Sequence, residues 1–289
     1  MTTTAAVRPV VAGIDGSDQS IMALRWAADE ARRRSAPLWV VHAFDIVRTE
    51  YYGPEIAAER RAGEEVLDAA VRQARELAAE VEVRPVLEAG AASVVLLKQS
   101  AHADLVVLGS RGRGGFAAQL LGSTPLQVAS HASCPVVVVR VAADGVPPGP
   151  SAGRIVVGAD GSPHSERALG FAFAMAEERG LGVTAVRAWR APSVCIDAVP
   201  PHEWQQAEKD EQAALAENVA VWREQYPGVD VVEKTVLSVP GKALIDESAG
   251  AELLVVGSHG RGGFGGLLLG SVSHVALHYA HCPVAVVRQ

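Results

Sequence analysis

The sequence contains two copies of one pattern, and this duplication limits the folds available to the chain more than any other feature. The segment VVAGIDGS at residues 10–17 recurs as IVVGADGS at 155–162. The segment GSRGRGGFAAQLLGSTP at 109–125 recurs as GSHGRGGFGGLLLGSVS at 257–273. A chain of 289 residues that repeats itself in this way indicates two similar domains, each long enough to bury a core.

A segment rich in Pro and Gly separates the two copies. It runs from Val141 to Gly153 with the sequence VAADGVPPGPSAG, a composition typical of linkers. We therefore predict one domain over residues 1–143 and a second over residues 152–289. The predicted linker spans residues 144–151.

Within each copy, short continuous apolar runs alternate with longer segments of helical period. Unbroken apolar runs are typical of strands that are covered on both faces, as in parallel sheets. In the first copy these runs span residues 9–14, 38–44, 81–87, 105–108 and 135–139. The alternation predicts two tandem α/β domains, each with a five-stranded parallel sheet and helices on both faces.

The most unusual residues of each copy follow the first and fourth predicted strands. In a parallel sheet, ligands bind outside the carboxyl ends of the strands, where the strand order reverses. The segment after the fourth strand has the spacing G-x2-G-x9-G-S in both copies, as Gly109, Gly112, Gly122-Ser123 and as Gly257, Gly260, Gly270-Ser271. Glycines allow successive N–H groups to surround an anion, and the start of a helix offers further free donors. The spacing predicts a phosphate site in each domain.

Charged side chains accompany both glycine-rich segments. Asp15 and Asp160 end the first strand of their copies, where a carboxylate could contact a divalent cation such as Mg²⁺ that bridges phosphates, or accept a hydrogen bond from a ribose hydroxyl. Both roles remain open at this point. Arg113 and Arg261 lie inside the loops and could add a charge-assisted contact to a phosphate.

Two common nucleotide motifs fit less well. Neither copy contains G-x4-G-K-[ST], which argues against a P-loop NTPase. The stretch GRGGFG at 260–265 matches G-x-G-x-x-G, but it follows the fourth strand and no acidic residue lies near position 285. A dinucleotide site of the Rossmann type is therefore disfavoured.

The combination of motifs resembles the universal stress protein family, and the two-copy arrangement is similar to the tandem members found in actinobacteria. The resemblance covers nearly the whole chain and implies an adenine nucleotide alpha hydrolase-like, Rossmann-like fold that binds ATP with Mg²⁺. It implies that Gly13 and Asp15 flank the ribose and phosphates and that Val41 lies against the adenine. The implied ATP ligands of the first domain are Gly13, Asp15, Val41, Gly109, Ser110, Arg111, Gly112, Arg113, Gly114, Gly115, Gly122, Ser123 and Thr124. Those of the second domain are Gly158, Asp160, Val186, Gly257, Ser258, His259, Gly260, Arg261, Gly262, Gly263, Gly270, Ser271, Val272 and Ser273.

The two copies differ at the end of the motif. Val272-Ser273 of the second copy stands where the first has Thr124-Pro125, so the first copy loses the N–H group of residue 125. Proline is tolerated in the first turn of a helix, and the fold is expected to survive. We therefore predict that the second site binds ATP at least as tightly as the first.

The expected activity is regulation rather than catalysis. The loops carry phosphate ligands but no general base or lysine where an NTPase places one, so no catalytic residue is assigned. We expect an ATP-binding stress-response or signalling regulator with little or no hydrolysis. The alternatives are a slow ATP-hydrolysing or adenylate-chemistry enzyme of the same fold, and an interaction module that does not bind ATP.

Charge and composition restrict the partners. The net charge of −7, with no basic cluster, argues against nucleic acid. The start of the chain lacks a charged and apolar leader, and no apolar stretch is long enough for a membrane span, so we expect a cytoplasmic protein.

Cys134, Cys195 and Cys282 are interpreted as buried thiols in a reducing compartment. The family resemblance implies that the edge strands at 135–139 and 283–287 pair between domains or subunits, hence a homodimer, and an unidentified regulatory protein is a further expected partner.

Two other features have both a functional and a structural interpretation. His274, His278 and His281 have a helical spacing that could present imidazoles to a metal, or they simply occupy a helix surface. The stretches 45–54 and 190–202 follow the second strand of each copy and could act as lids or as flexible connections.

Overall fold

A computed structural model describes residues 7–44, 54–112, 121–140, 146–190, 201–262 and 268–288. The chain forms two compact units, Met1–Arg140 and Val141–Gln289. Part of the predicted linker is bonded to the second unit, since the Gly149 N–H donates to the carbonyl oxygen of Ala249 over 2.8 Å and the buried Ser151 hydroxyl donates to Glu247. The predicted boundaries at 143 and 152 stay a prediction.

The first unit alternates strands and helices along the chain. Its sheet has the order β3-β2-β1-β4-β5, and its neighbouring strands pair in parallel. The elements are β1 Val10–Gly13, α1 Asp18–Arg33, β2 Leu38–Phe44, α2 Pro54–Leu77, β3 Val83–Ala89, α3 Ala92–Ser100, β4 Leu105–Gly109, α4 Ser123–His131 and β5 Val136–Val139.

The second unit repeats this topology. Its sheet has the order β8-β7-β6-β9-β10, again with parallel neighbours. The elements are β6 Ile155–Gly158, α5 Pro163–Arg179, β7 Val183–Trp189, α6 Pro201–Gln225, β8 Val231–Leu237, α7 Pro240–Ser248, β9 Leu253–Gly257, α8 Ser271–Tyr279 and β10 Val284–Val287. The predicted fold class, two tandem α/β domains with five-stranded parallel sheets, is confirmed.

The core of each unit lies on the central strands, where the apolar runs are unbroken. In β1, Val10, Val11 and Ala12 are fully buried, because α1 and α3 pack against opposite faces of the sheet. The edge strand β3 is only partly buried and carries Pro85, which a central strand would not tolerate because proline has no N–H to donate. This strand starts at Val83, two residues later than the apolar run, because Val81 ends a turn by donating to the carbonyl oxygen of Ala78.

The topology determines where a ligand can bind. The chain moves from β1 outward through β2 and β3, and then returns to place β4 on the other side of β1. The loops after β1 and β4 therefore diverge at the carboxyl edge and leave a crevice between them. The same reversal separates the loops after β6 and β9 in the second unit.

Two of the three cysteines are described, and both are buried. Burial raises the pKa of the Cys134 thiol to about 12, so the reactive thiolate is scarce at neutral pH. Cys195 lies outside the described residues. Over the described ranges, no helix combines the length and the apolar character that a membrane span requires.

Candidate functional site

Each unit has a cavity at the carboxyl edge of its sheet, in the crevice set by the strand order. The cavity of the first unit has a volume of about 360 Å³, and that of the second about 650 Å³. Both fall within the size range of ligand pockets in proteins, roughly 300–1,000 Å³. The glycine-rich loops after β4 and β9 form one side of each cavity, and the apolar ends of β2 and β7 form the other.

The loop after the fourth strand of each unit passes very close to the strand-end carboxylate at a glycine. A Cβ atom on Gly112 would lie 2.4 Å from Oδ2 of Asp15. A Cβ atom on Gly260 would lie 2.6 Å from Oδ2 of Asp160. Both distances are far inside van der Waals contact, so a larger residue at either position would displace the loop or the carboxylate that it covers.

The last residue of β4 and of β9, beneath these loops, also packs closely against a neighbouring backbone. A Cβ atom on Gly109 would lie 2.8 Å from the backbone of Gln19, and one on Gly257 would lie 2.8 Å from the backbone of His164. The first turn of α1 or α5 therefore packs directly on the end of β4 or β9. This contact brings the starts of two helices to the rim of one cavity.

Hydrogen bonds hold each aspartate in place. Oδ1 of Asp15 accepts from the hydroxyl and the N–H of Ser17, over 2.6 and 3.0 Å. Asp160 accepts from the N–H of Ser162 over 2.9 Å and from the N–H of Arg261 over 3.0 Å. Burial opposes ionisation of Asp160, but hydrogen bonds from Ser162, Arg261 and Ser165 outweigh it and lower the pKa of this carboxyl. Asp160 is therefore a fixed negative charge beside the loop.

A helix with an open N-terminus borders each cavity. Gly122 and Gly270 are the N-caps of α4 and α8, and neither cap has a side chain that accepts from the first turn. Each glycine instead donates its own N–H back across the loop, to the carbonyl oxygen of Ser110 over 2.8 Å or of Ser258 over 2.7 Å. The first-turn N–H groups and the positive end of the helix dipole remain directed to the cavity, an arrangement that favours anions.

The opposite wall of each cavity is apolar. Val41 in the first unit and Val186 in the second are 2% exposed and line their cavities. Leu96 and Leu108 complete this wall in the first unit, and Leu244 and Val256 in the second. Each cavity thus joins an apolar slot to an anion-binding loop.

The sequence comparisons give the family. The model of the universal stress protein family matches residues 6–140 and again residues 152–288. The chain belongs to the universal stress protein family. A universal stress protein of Mycobacterium tuberculosis is 39% identical over 97% of both chains, and one of Mycolicibacterium smegmatis is 37% identical over 96% of both. The crystal structure of a universal stress protein from Archaeoglobus fulgidus superposes with a TM-score of 0.72 at 20% identity, covering 98% of this chain and 97% of that one, and so shares the fold.

Most of the residues that the family motif singled out line the two cavities. In the first unit these are Gly13, Asp15, Val41, Gly109, Arg111, Gly112, Gly122, Ser123 and Thr124. In the second they are Gly158, Asp160, Val186, Gly257, His259, Gly260, Arg261, Gly262, Gly270, Ser271, Val272 and Ser273. Arg113, Gly114, Gly115 and Gly263 lie outside the described residues, as do most of the two lid candidates.

Two predicted ligands lie beneath the loops instead of along the cavities. Ser110 is buried and its hydroxyl donates to Oε1 of Gln19 over 2.6 Å. Ser258 is also buried, with its hydroxyl 3.3 Å from Nδ1 of His164 and 3.2 Å from Nδ1 of His259. Both hydroxyls therefore support the loop from below.

The sequence reasoning missed several residues that take part in the site. Arg187 and Glu211 line the second cavity, and Gln19 and His164 support the two loops. Arg187 could have been noticed as the one charged residue in the strand VTAVRAW. Glu211 lies in the polar sequence of α6, where nothing marks it out from its neighbours.

No protein-only metal site is found in the described residues. Across these ranges, no group of three or more His, Cys, Asp or Glu side chains is placed to hold an ion. The rings of His274 and His278 lie 4.4 Å apart on α8, but no third ligand from the described chain joins them. Among the described residues that line the first cavity, Asp15 is the only carboxylate.

Proposed function

We propose that each unit of this universal stress protein binds one ATP with Mg²⁺, and that nucleotide occupancy regulates a stress-response or signalling process with little or no hydrolysis. The observation that best supports the proposal is the pair of glycine loops closed over Asp15 and Asp160, each beside an uncapped helix start. Exposed N–H groups with no side chain in front of them are the donors that a polyphosphate needs.

The rest of each cavity suits the other parts of the nucleotide. The apolar wall around Val41 or Val186 matches the flat face of an adenine base. The strand-end carboxylate lies between that wall and the glycine loop, where it can accept from a ribose hydroxyl. Arg111 and Arg261 line the cavities and offer charge-assisted hydrogen bonds to phosphate oxygens.

Mg²⁺ would bind in these sites together with the nucleotide, between a carboxylate and the phosphates. Mg²⁺ usually binds through one or two carboxylates together with phosphate oxygens and water. Asp15 or Asp160 would supply the carboxylate, because a carboxylate oxygen that accepts one N–H group keeps a further lone pair. The ion would neutralise phosphate charge and hold the phosphates in place.

The charge state of Asp160 supports regulation over rapid hydrolysis. A general base works best when its pKa lies near the working pH, whereas hydrogen bonds lower the pKa of this carboxyl. The lining residues described for the two cavities include arginines but no lysine. A nucleotide held by such groups is bound firmly, and neither the arginines nor the strongly acidic Asp160 is suited to accept a proton from an attacking water.

Native mass spectrometry and calorimetry of the purified protein test the proposal. We expect ATP to bind with a stoichiometry of two per chain, and Gly112→Ala or Gly260→Ala to remove one site each by pushing a methyl group against the carboxylate. Gly228→Ala is the matched control, because nothing lies within 4 Å of the added Cβ atom. Absence of ATP binding to the unmodified chain would overturn the proposal, and multiple-turnover release of ADP or AMP would overturn the regulatory part in favour of the enzyme.

The oligomeric and cellular parts of the proposal rest on the family and on the edge strands. The family resemblance implies that β5 and β10 pair between domains or subunits. We expect a homodimer formed through these strands and a cytoplasmic location. We also expect a regulatory protein partner whose binding depends on whether the sites hold nucleotide. Light scattering of the full chain with and without ATP measures the oligomeric state, and a monomer under both conditions would contradict the expected homodimer.

A further inference from the structure

The two cavities differ at the strand beside the one that Asp15 or Asp160 follows, which is β2 in the first unit and β7 in the second. The second cavity is larger, and its lining includes Arg187, Trp189, Arg190 and Glu211. Gly13 pairs in register with Val41 and Gly158 with Val186, so Arg187 occupies the position that His42 has in the first unit. His42 is not among the lining residues of the first cavity, and its Nδ1 atom lies 2.6 Å from the carbonyl oxygen of Ile14.

Arg187 is buried with part of its hydrogen-bonding capacity unused. Its side chain is 5% exposed, and its Nε atom donates to a carboxylate oxygen of Glu211. Its Nη1 atom is buried and has no hydrogen-bond partner among the described residues. A buried guanidinium N–H without an acceptor is costly, so an acceptor supplied by a ligand would stabilise this arrangement.

Two other polar groups converge on the same place. A Cβ atom built on Gly161 would lie 2.8 Å from Nη2 of Arg261, 3.2 Å from Oδ1 of Asn218 and 3.6 Å from Nη1 of Arg187. Gly161 has a φ of +79° and directly follows Asp160, so the three groups meet beside the strand-end carboxylate. The buried Oδ1 atom of Asn218 is likewise without a partner within the described ranges.

The first unit has an apolar surface at the equivalent point. A Cβ atom on Gly16 would meet only the methyl groups of Val66, at 3.4 and 3.5 Å. Helix α2 places Gly63 beside His42, whereas α6 places Glu211 beside Arg187. The charged cluster therefore belongs to the second unit and has no counterpart among these residues of the first.

We propose that Arg187, Arg261 and Asn218 form a subsite that binds a phosphate group carried on a ribose hydroxyl of an adenine nucleotide. The inference rests on the proposed nucleotide site of the second unit and adds a specificity to it. Two guanidinium groups can donate to different oxygens of one phosphate, and the amide of Asn218 can present either its oxygen or its NH₂ group. In dinucleotide folds, too, an arginine near the ribose accommodates a phosphate on the 2′-hydroxyl.

The number of converging donors favours a phosphate over a neutral hydroxyl in this subsite. Glu211 already neutralises Arg187, and Asp160 accepts from the backbone N–H of Arg261, which leaves the Arg261 guanidinium for a ligand. A hydroxyl would use one of the converging donors, whereas the three oxygens of a phosphate can accept from both arginines. The Arg261 guanidinium offsets part of the repulsion between the phosphate and Asp160.

Calorimetry on the full chain with the first site blocked by Gly112→Ala tests the subsite. The ligands are adenosine 5′-monophosphate, the 2′,5′- and 3′,5′-bisphosphates of adenosine, and ATP. We expect one of the two bisphosphates to bind roughly tenfold more tightly than the monophosphate, the value of one charge-assisted hydrogen bond. Equal or weaker binding of both bisphosphates would overturn the subsite while ATP binding persists, whereas loss of binding by all four ligands would overturn the nucleotide site itself.

Two variants separate the subsite from effects on folding. Arg261→Gln removes an exposed guanidinium, and Arg187→Met combined with Glu211→Gln removes the buried pair together, so that no carboxylate is left without its partner. In each, the ratio of bisphosphate to monophosphate affinity should fall by roughly tenfold if that arginine contacts the phosphate. Gly260→Ala leaves only the first site, where the ratio should be close to one, and an unchanged ratio in both arginine variants would overturn the assignment.

Discussion

The hydroxyl group of Ser273 donates a hydrogen bond to the carbonyl oxygen of Gly257 over 2.5 Å. This bond joins the first turn of α8 to the end of β9, directly beneath the glycine loop. The first unit has Pro125 at the same position of α4, where no hydroxyl can make the contact. The loop of the second unit is therefore tied to the helix start that faces its cavity.

Replacing Ser273 by Ala should destabilise the second unit and loosen its site. The change removes one buried hydrogen bond, which is worth about 1 kcal/mol, and leaves the small space of the hydroxyl empty. We expect a lower midpoint of urea unfolding and a weaker second ATP site. Gly228→Ala serves as the control, and a variant with unchanged midpoint and affinity would show that the bond does not support the loop.

The two ATP sites should differ in affinity because of Pro125. Proline removes one of the first-turn N–H donors of α4, whereas α8 keeps the N–H group of Ser273. With the other site blocked by Gly112→Ala or Gly260→Ala, we expect the second site to bind ATP at least as tightly as the first, with a difference of up to roughly tenfold. Pro125→Ser in the Gly260→Ala background should strengthen the first site, and a clearly tighter first site before that change would contradict the expectation.

The fold and the glycine loops were accessible from the sequence because the chain provides its own comparison. Glycines at 109, 112 and 122 recur at 257, 260 and 270, while Gly265 and Gly266 are Ala117 and Ala118 in the first copy. Repetition thus separated the glycines that both copies share from those that one copy replaces, and a Cβ atom would clash at four of the shared positions, Gly109, Gly112, Gly257 and Gly260. Ligands of parallel sheets bind outside the carboxyl ends of the strands where the strand order reverses, and this rule placed both loops at the crevice without any knowledge of side-chain contacts.

The ion pair of Arg187 and Glu211 in the lining of the second cavity could not be predicted in this way. Arg187 and Glu211 meet across 24 positions of sequence and have no counterparts in the first copy, where His42 and Gly63 occupy that place. The roles of Ser110 and Ser258 were hidden for a related reason. Whether a hydroxyl faces the cavity or the helix below depends on the packing of α1 or α5, and the motif alone does not specify that packing.

The two described cysteines should be unreactive in the native protein. Both thiols are buried, and burial raises the pKa of Cys134 to about 12, so almost no thiolate is present at pH 8. In a Cys195→Ser protein we expect Ellman's reagent to label neither thiol until a denaturant is added, and then to label both. Rapid labelling without denaturant would show that one of these segments opens readily.

Asp160 should make the stability of the second unit depend on pH in the acid range. Hydrogen bonds lower its pKa below the ordinary value of 3.8, so the folded state binds this proton less readily than the unfolded state does. The ionised carboxylate therefore stabilises the native state above about pH 4, and this contribution is lost as the pH falls through the lowered pKa of the folded state.

The measurement compares the unmodified protein with Asp160→Asn by urea unfolding between pH 7 and pH 3. We expect the amide to lower the unfolding midpoint at pH 7, because it carries no charge for the N–H groups of Ser162 and Arg261 to stabilise. The difference between the two proteins should shrink as the pH falls, since protonation of Asp160 removes the same charge. Asp68→Asn, at an exposed position of α2, is the matched control. A difference that stays constant over the whole range would show that Asp160 stabilises the loop through its shape and not through its charge.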